Sequence, residues 1–197
     1  MRNAEMTKQT ILRESANLFN TQGYKATSIS DITKATGFTK GAIYRHFNSK
    51  QDLERLALQK LSTVMFSEIA TAVREAPNFK QKFEAIFGFF ENYMQTPLYE
   101  GGCPLMNAAV EADDSNPILR QQALAMLGEL KTSVTKLLEN GIKNQQVKPD
   151  IDVAFYSTIF IATLEGGIMM SKLEQTPQAI SRTVQHLRNL IHTLSLQ

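Results

Sequence analysis

Tryptophan is absent and cysteine occurs once in the 197 residues. A single Cys excludes an internal disulfide framework and any cysteine-rich zinc or iron–sulfur site. Beta-branched alternation and hairpin dipeptides are missing, so an all-β or α/β fold is not expected. Internal repeats and low-complexity tracts are also missing. The three histidines, His46, His186 and His192, form no ligand pair of the metalloprotease type. No glycine-rich phosphate loop or serine-nucleophile elbow appears, so neither metal, cofactor nor enzymatic activity is expected. The first residues, Met1-Arg2-Asn3-Ala4-Glu5, contain no apolar signal region. A cytoplasmic location is the expectation from that end of the chain.

What is present is a globular composition, 43% hydrophobic and 20% charged, with a net charge of only +2. That small value conceals an asymmetry. Residues 1–60 carry ten Lys/Arg against five Asp/Glu, or +5, which leaves 11 basic and 14 acidic residues, or −3, for the rest. A basic front and a mildly acidic body suggest a polyanion-binding head joined to a body with another task.

Helical periodicity runs throughout. The segment 7–22 places Ile11, Ser15, Leu18 and Phe19 on one face and stops at Gly23, a residue suited to a left-handed cap. Ser28 opens a short helix with Asp31 three residues on, as in a capping box. Its inward residues are expected to be Ile29, Ile32 and Ala35, and it ends at Gly37. Thr39 opens a third short helix to about 47. Longer helices are expected over about 49–76, 78–96, 117–144, 151–174 and 177–194, with a short one at 105–112. Asn116-Pro117 supplies a cap followed by proline at the first helical position. The expectation is an all-α chain of about nine helices. Residues 1–48 are expected to form a three-helix head and residues 49–197 a larger helical bundle, with helix 49–76 as connector.

The stretch 153–171 is long and apolar but contains Tyr156, Ser157, Thr158, Thr163, Glu165 and a Gly166-Gly167 pair. A spanning helix needs about 20 predominantly apolar residues. A helix apolar on most sides reads more simply as one covered on two faces, the second by another subunit. No membrane association is expected.

Residues 28–47 carry the chemistry. Two short helices meet at Gly37, and Ile32, Ala35, Phe38 and Ile43 are spaced to fill the angle between them. This is the pattern of a helix-turn-helix, whose second helix enters the DNA major groove. Thr39, Lys40 and Gly41 open that helix, where free N–H groups favour phosphate. Gly41 permits close approach of the backbone. Tyr44 and His46 offer hydrogen-bonding groups, and Lys50 is a further phosphate donor.

Residues 8–56 resemble the DNA-binding domain of the tetracycline-repressor (TetR) family. The matching words are Ile11-Leu12, Ala16, Leu18-Phe19, Gly23-Tyr24, Thr27-Ser28-Ile29, Asp31-Ile32, Gly37-Phe38-Thr39-Lys40-Gly41, Ile43-Tyr44, His46-Phe47, Ser49-Lys50 and Asp52-Leu53. The resemblance implies an all-α homodimer with a small-molecule site in each subunit and heads that move when it is filled. It implies base reading by Lys40 beside Thr39 and Gly41, and phosphate contacts from Tyr44, His46, Lys50, Thr27 and Ser28. Arg45 falls where the family varies and is a candidate for sequence preference. Thr39 and Ser28 remain open to a purely capping role, and Tyr44 to a packing role.

The expected function is a repressor released from an inverted-repeat operator on double-stranded DNA by a small apolar or amphipathic effector. The alternative is a constitutive DNA-binding or protein-interaction member. Candidate ligand contacts are Phe87, Phe90, Met94, Met106, Met126 and Met169 as soft apolar surface, although such residues also fill ordinary cores. Asn107, Glu111 and Glu165 are the candidate polar anchors. Cys103, between Gly102 and Pro104 at a helix start, is either a reactive thiol or a packed one.

Overall fold

The structure, a computed structural model, describes residues 2–93, 96, 99–112 and 115–196, without the side chains of residues 2 and 3. The described residues form nine helices and no strand. The helices are α1 (Arg2–Gln22), α2 (Ile29–Thr36), α3 (Lys40–Tyr44), α4 (Lys50–Glu75), α5 (Phe79–Tyr93), α6 (Pro104–Ala112), α7 (Pro117–Lys143), α8 (Val153–Glu174) and α9 (Gln178–Leu194). They group into two compact units. One comprises Met1–Val64 with Tyr99–Met126, and the other Met65–Leu98 with Leu127–Gln197. The chain passes from one unit to the other inside α4, between residues 98 and 99, and inside α7, whereas the division drawn from sequence fell at residue 48.

In the first unit, Ile11, Phe19, Ile32, Ile43, Leu53 and Leu58 are fully buried and join α1–α4 around one apolar centre. Phe19 stacks on Tyr24, with ring centroids 5.2 Å apart. Gly23, at φ +93°, ends α1 by donating its N–H to the Phe19 carbonyl. Ala35 differs from expectation, because its short side chain is exposed while Ile32 fills the angle. Phe38 is half-buried beside it.

In the second unit, α8 lies along α9 and α9 along α5. Phe83 sits between Phe87 and Phe160, at 5.9 and 4.9 Å between centroids. Arg188 of α9 forks onto Glu84 and Glu91 of α5 at 3.0 and 2.8 Å. These two carboxylates raise the Arg188 pKa further, with the Glu91 hydrogen bond the larger cause. Gly167 lets α8 pack closely on α9, because a Cβ there would lie 2.3 Å from the Thr183 hydroxyl. The neighbouring Gly166 faces open space. The Ser171 hydroxyl accepts the Ile180 N–H at 2.8 Å, which serves the first turn of α9 from the side of α8.

α8 is long and apolar enough to cross a membrane by length and composition. Its inward residues Phe160, Leu164, Gly167 and Ile168 are buried. Phe155, Met169, Met170 and Leu173 are exposed on the same helix, Leu173 by 78%.

Candidate nucleic-acid interface

The interface begins with two caps. Ser28 Oγ accepts the Asp31 N–H at 3.2 Å, and Asp31 Oδ2 accepts the Ser28 N–H at 2.9 Å. The reciprocal box satisfies two donors that the first turn of α2 leaves unpaired. The Ser28 hydroxyl donates to the same carboxylate at 2.6 Å, and these bonds hold the Asp31 pKa below the ordinary carboxylate value. Gly37 at φ +72° closes α2, its N–H on the Thr33 carbonyl. Thr36 Oγ1 then accepts the Phe38 N–H at 3.2 Å and guides the chain through the turn. Thr39 caps α3 by accepting the Ala42 N–H at 3.2 Å.

The regular part of α3 is shorter than expected and ends at Tyr44, but the Phe47 N–H still reaches the Ile43 carbonyl at 3.1 Å. Ile43 and Phe47 are buried beneath it. Thr39, Lys40, Gly41, Tyr44 and Arg45 are exposed. The Lys40 ammonium lies 5.9 Å from the centroid of the Tyr44 ring, so the two share a face one turn apart. A Cβ on Gly41 would meet nothing nearer than the Thr39 hydroxyl at 3.9 Å, so a close-approaching backbone has room there. His46 is half-buried with its ring edge-on to Phe47.

Two other candidates point inward. Thr27 is fully buried and donates its hydroxyl to the Gly23 carbonyl at 2.7 Å. Lys50 Nζ donates to the Tyr24 carbonyl at 2.7 Å and pairs with Glu54 at 3.2 Å. Sequence spacing places a lysine one turn beyond the recognition segment, but the deep carbonyl and carboxylate beside it claim its ammonium. The head also exposes Lys25 and Lys34, which the motif did not single out. The +5 charge of the first 60 residues was the signal that pointed to them.

The ligand candidates divide between the two units. In the first, Cys103 and Met126 are buried and Met106 half-buried. Asn107 and Glu111, expected to anchor a ligand, hydrogen-bond to the chain around the end of α1. Asn107 donates to the Asn20 backbone and side-chain oxygens at 3.1 Å, and Glu111 accepts the Tyr24 and Lys25 N–H groups. In the second unit, Phe87 and Phe90 are buried, Glu165 is half-buried and Met169 is 43% exposed. Met94 lies outside the described residues. None of the described candidates lines the cleft of about 310 Å³ formed by Asn78, Phe79, Lys80, Gln145, Gln146 and Leu196.

A short capped helix pair that presents a lysine, a tyrosine and an arginine from a basic head defines a helix-turn-helix DNA-binding protein. Known proteins agree. Residues 11–55 match the family described as bacterial regulatory proteins, tetR family, and residues 80–187 match the tetracyclin repressor-like C-terminal domain. The chain belongs to the TetR family of DNA-binding transcriptional regulators.

A crystal structure of a TetR transcriptional regulator from Chloroflexus aurantiacus J-10-fl is 32% identical. It superposes with a TM-score of 0.94 over 99% of this chain and 98% of that one. The HTH-type transcriptional repressor DhaR of Mycobacterium sp. (strain GP1) is 22% identical over 175 residues, which cover 89% of this chain and 87% of its own. The HTH-type transcriptional regulator AcrR of Shigella flexneri is 50% identical over 50 residues, 25% of this chain and 23% of its own.

Proposed function

We propose that the protein is a repressor that binds an inverted-repeat operator as a homodimer and leaves it when a small apolar or amphipathic molecule binds the body. The exposed Lys40–Tyr44 face above buried Ile43 and Phe47 is the observation that carries the DNA-reading role. Lys40 reads base edges, with Thr39 and Gly41 beside it. Tyr44, His46 and Ser28 contact phosphate, and Arg45 tunes preference. A lysine at guanine supplies about 1–3 kcal/mol of discrimination. Replacing Lys40 by Ala should therefore lower affinity for the preferred duplex by about 5- to 150-fold for each half-site, with a much smaller loss on random DNA. Competition binding with the two duplexes measures this. An equal loss on both removes Lys40 from the base-reading role.

Two-fold symmetry requires two half-sites, with recognition helices about 34–36 Å apart or a multiple of that. The apolar residues left exposed on α8 support a second copy as their cover, since a stable interface buries such a patch. Leu173→Glu, which places a charge in that patch, should shift the protein from dimer to monomer in sedimentation at micromolar concentration. A variant that sediments as the wild type would move the subunit contact away from α8.

The effector reading is supported by the soft apolar side chains of the body. A shift in α4 suits the release step, because that 26-residue helix contributes to both units and starts just after the recognition segment. Coupling of about 1–3 kcal/mol would suffice for a 5- to 150-fold loss of operator affinity.

A further inference from the structure

A helix that ends on a left-handed glycine turns its chain away, and the next amides leave the helical ladder. Gly23 ends α1 in this way, so the N–H groups of Tyr24 and Lys25 need partners from elsewhere. Both find one carboxylate. Glu111, on α6 and more than 80 residues downstream, accepts the Tyr24 N–H at 3.0 Å through Oε1 and the Lys25 N–H at 2.9 Å through Oε2. The carbonyl of the same Tyr24 is held at 2.7 Å by Lys50 of α4. One residue of the turn is thus gripped by α6 on one side and by α4 on the other.

The seat is specific in shape. A Cβ on Gly23 would lie 2.7 Å from Glu111 Oε1, so the carboxylate occupies the space a side chain would need. One turn earlier on α6, Asn107 bonds Asn20 near the end of α1. Two positions after Lys25, the Thr27 N–H returns to the Gly23 carbonyl at 3.2 Å, and Ser28 then caps α2. The path from α1 into the helix-turn-helix therefore runs through the peptides that Glu111 holds.

We propose that Glu111 is a positioning residue for DNA binding, a carboxylate on α6 that fixes the Tyr24–Lys25 turn and with it the entry to α2. This rests on the DNA-binding reading of the head. Through this turn Glu111 ties α6 to the head, so a shift of α6 reaches the entry to α2 without passing along α4.

The sign of the effect separates this role from simple electrostatics. Deleting a carboxylate from a DNA-binding unit lowers repulsion and by itself raises affinity. Removing a group that positions the head lowers it. The test uses the full-length protein and a duplex that the wild type selects from a random-sequence pool, read by fluorescence anisotropy across a salt series. Amide hydrogen exchange is followed at Tyr24 and Lys25. Glu111→Ala should lose about tenfold or more in affinity, a size set by two charge-assisted hydrogen bonds. The salt slope should stay unchanged, because no phosphate partner is removed, and both amides should exchange faster.

Glu111→Gln keeps an acceptor for the Tyr24 N–H but turns a donor toward Lys25, and should fall between wild type and Ala. It carries the test if the Ala variant does not fold. Affinity equal to or above wild type in the folded variants overturns the proposal. So does a loss of affinity with unchanged exchange at Tyr24 and Lys25. A wild type that enriches no sequence overturns instead the DNA-binding reading beneath it.

Discussion

Gly101→Ala should lower stability by about 3–5 kcal/mol, the sum of a left-handed backbone penalty and an overpacked contact. Gly101 has φ +91°, and a Cβ there would lie 2.1 Å from the Asn20 carbonyl oxygen and 2.6 Å from its carbon. Those atoms are backbone of α1 and cannot swing aside. The same stretch is tied down by the Asn20 side chain, which donates to the Glu100 and Gly102 carbonyls, and by Asn107 on the Gly101 carbonyl. The added methyl must push α1 from its seat beside α6. A thermal melt followed by circular dichroism should show a midpoint lower by on the order of 10 °C. Gly128→Ala is the control, because nothing lies within 4 Å of a Cβ there and Ala favours the helix by about 0.5–1 kcal/mol. A Gly101→Ala melt that matches the wild type would show that the loop does not bear on α1.

Lys50→Ala should destabilise the head by about 2–4 kcal/mol while leaving the salt dependence of DNA binding unchanged. The Glu54 side chain is almost wholly buried, and its carboxylate takes Lys50 on one oxygen and Asn116 on the other, the latter at 2.7 Å. Removing the ammonium strands a buried negative charge and leaves the Tyr24 carbonyl without its donor. A Lys50→Ala/Glu54→Leu double variant should recover part of the loss, because the stranded charge goes with its partner. A phosphate-binding lysine predicts the opposite pattern, in which the melting midpoint is kept and the salt slope falls by about 0.9 for each phosphate no longer neutralised. Paired melting and salt-titration curves separate the two roles.

The local signals were legible in the sequence. Ser28 with Asp31, Gly37, Thr39 and Asn116-Pro117 each announce a helix boundary through chemistry that acts within four residues, and each stands at the expected cap or turn. The recognition segment was legible for the same reason, since Lys40, Tyr44, Ile43 and Phe47 alternate outward and inward on one short stretch.

Partners distant in sequence were not legible. Glu111 and Asn107 read as ligand anchors because a polar group in an apolar helix needs a partner, but periodicity cannot say that the partner is the end of α1. Lys50 read as a phosphate donor because the carbonyl it serves lies 26 residues away. Ala35 failed on a finer point, because helical phase places a small residue near the core but does not decide whether Ile32 already fills the space. The Gly166-Gly167 pair stands out in the sequence, yet only the structure names α9 as the neighbour of Gly167.

The most direct test of the DNA-reading account is a footprint of the purified protein on the duplex it enriches from its own genome. The account predicts protection of two symmetry-related half-sites about one helical turn apart or a multiple of that, lost when half-site symmetry is broken. Protection that follows no sequence and disappears uniformly with salt would contradict it.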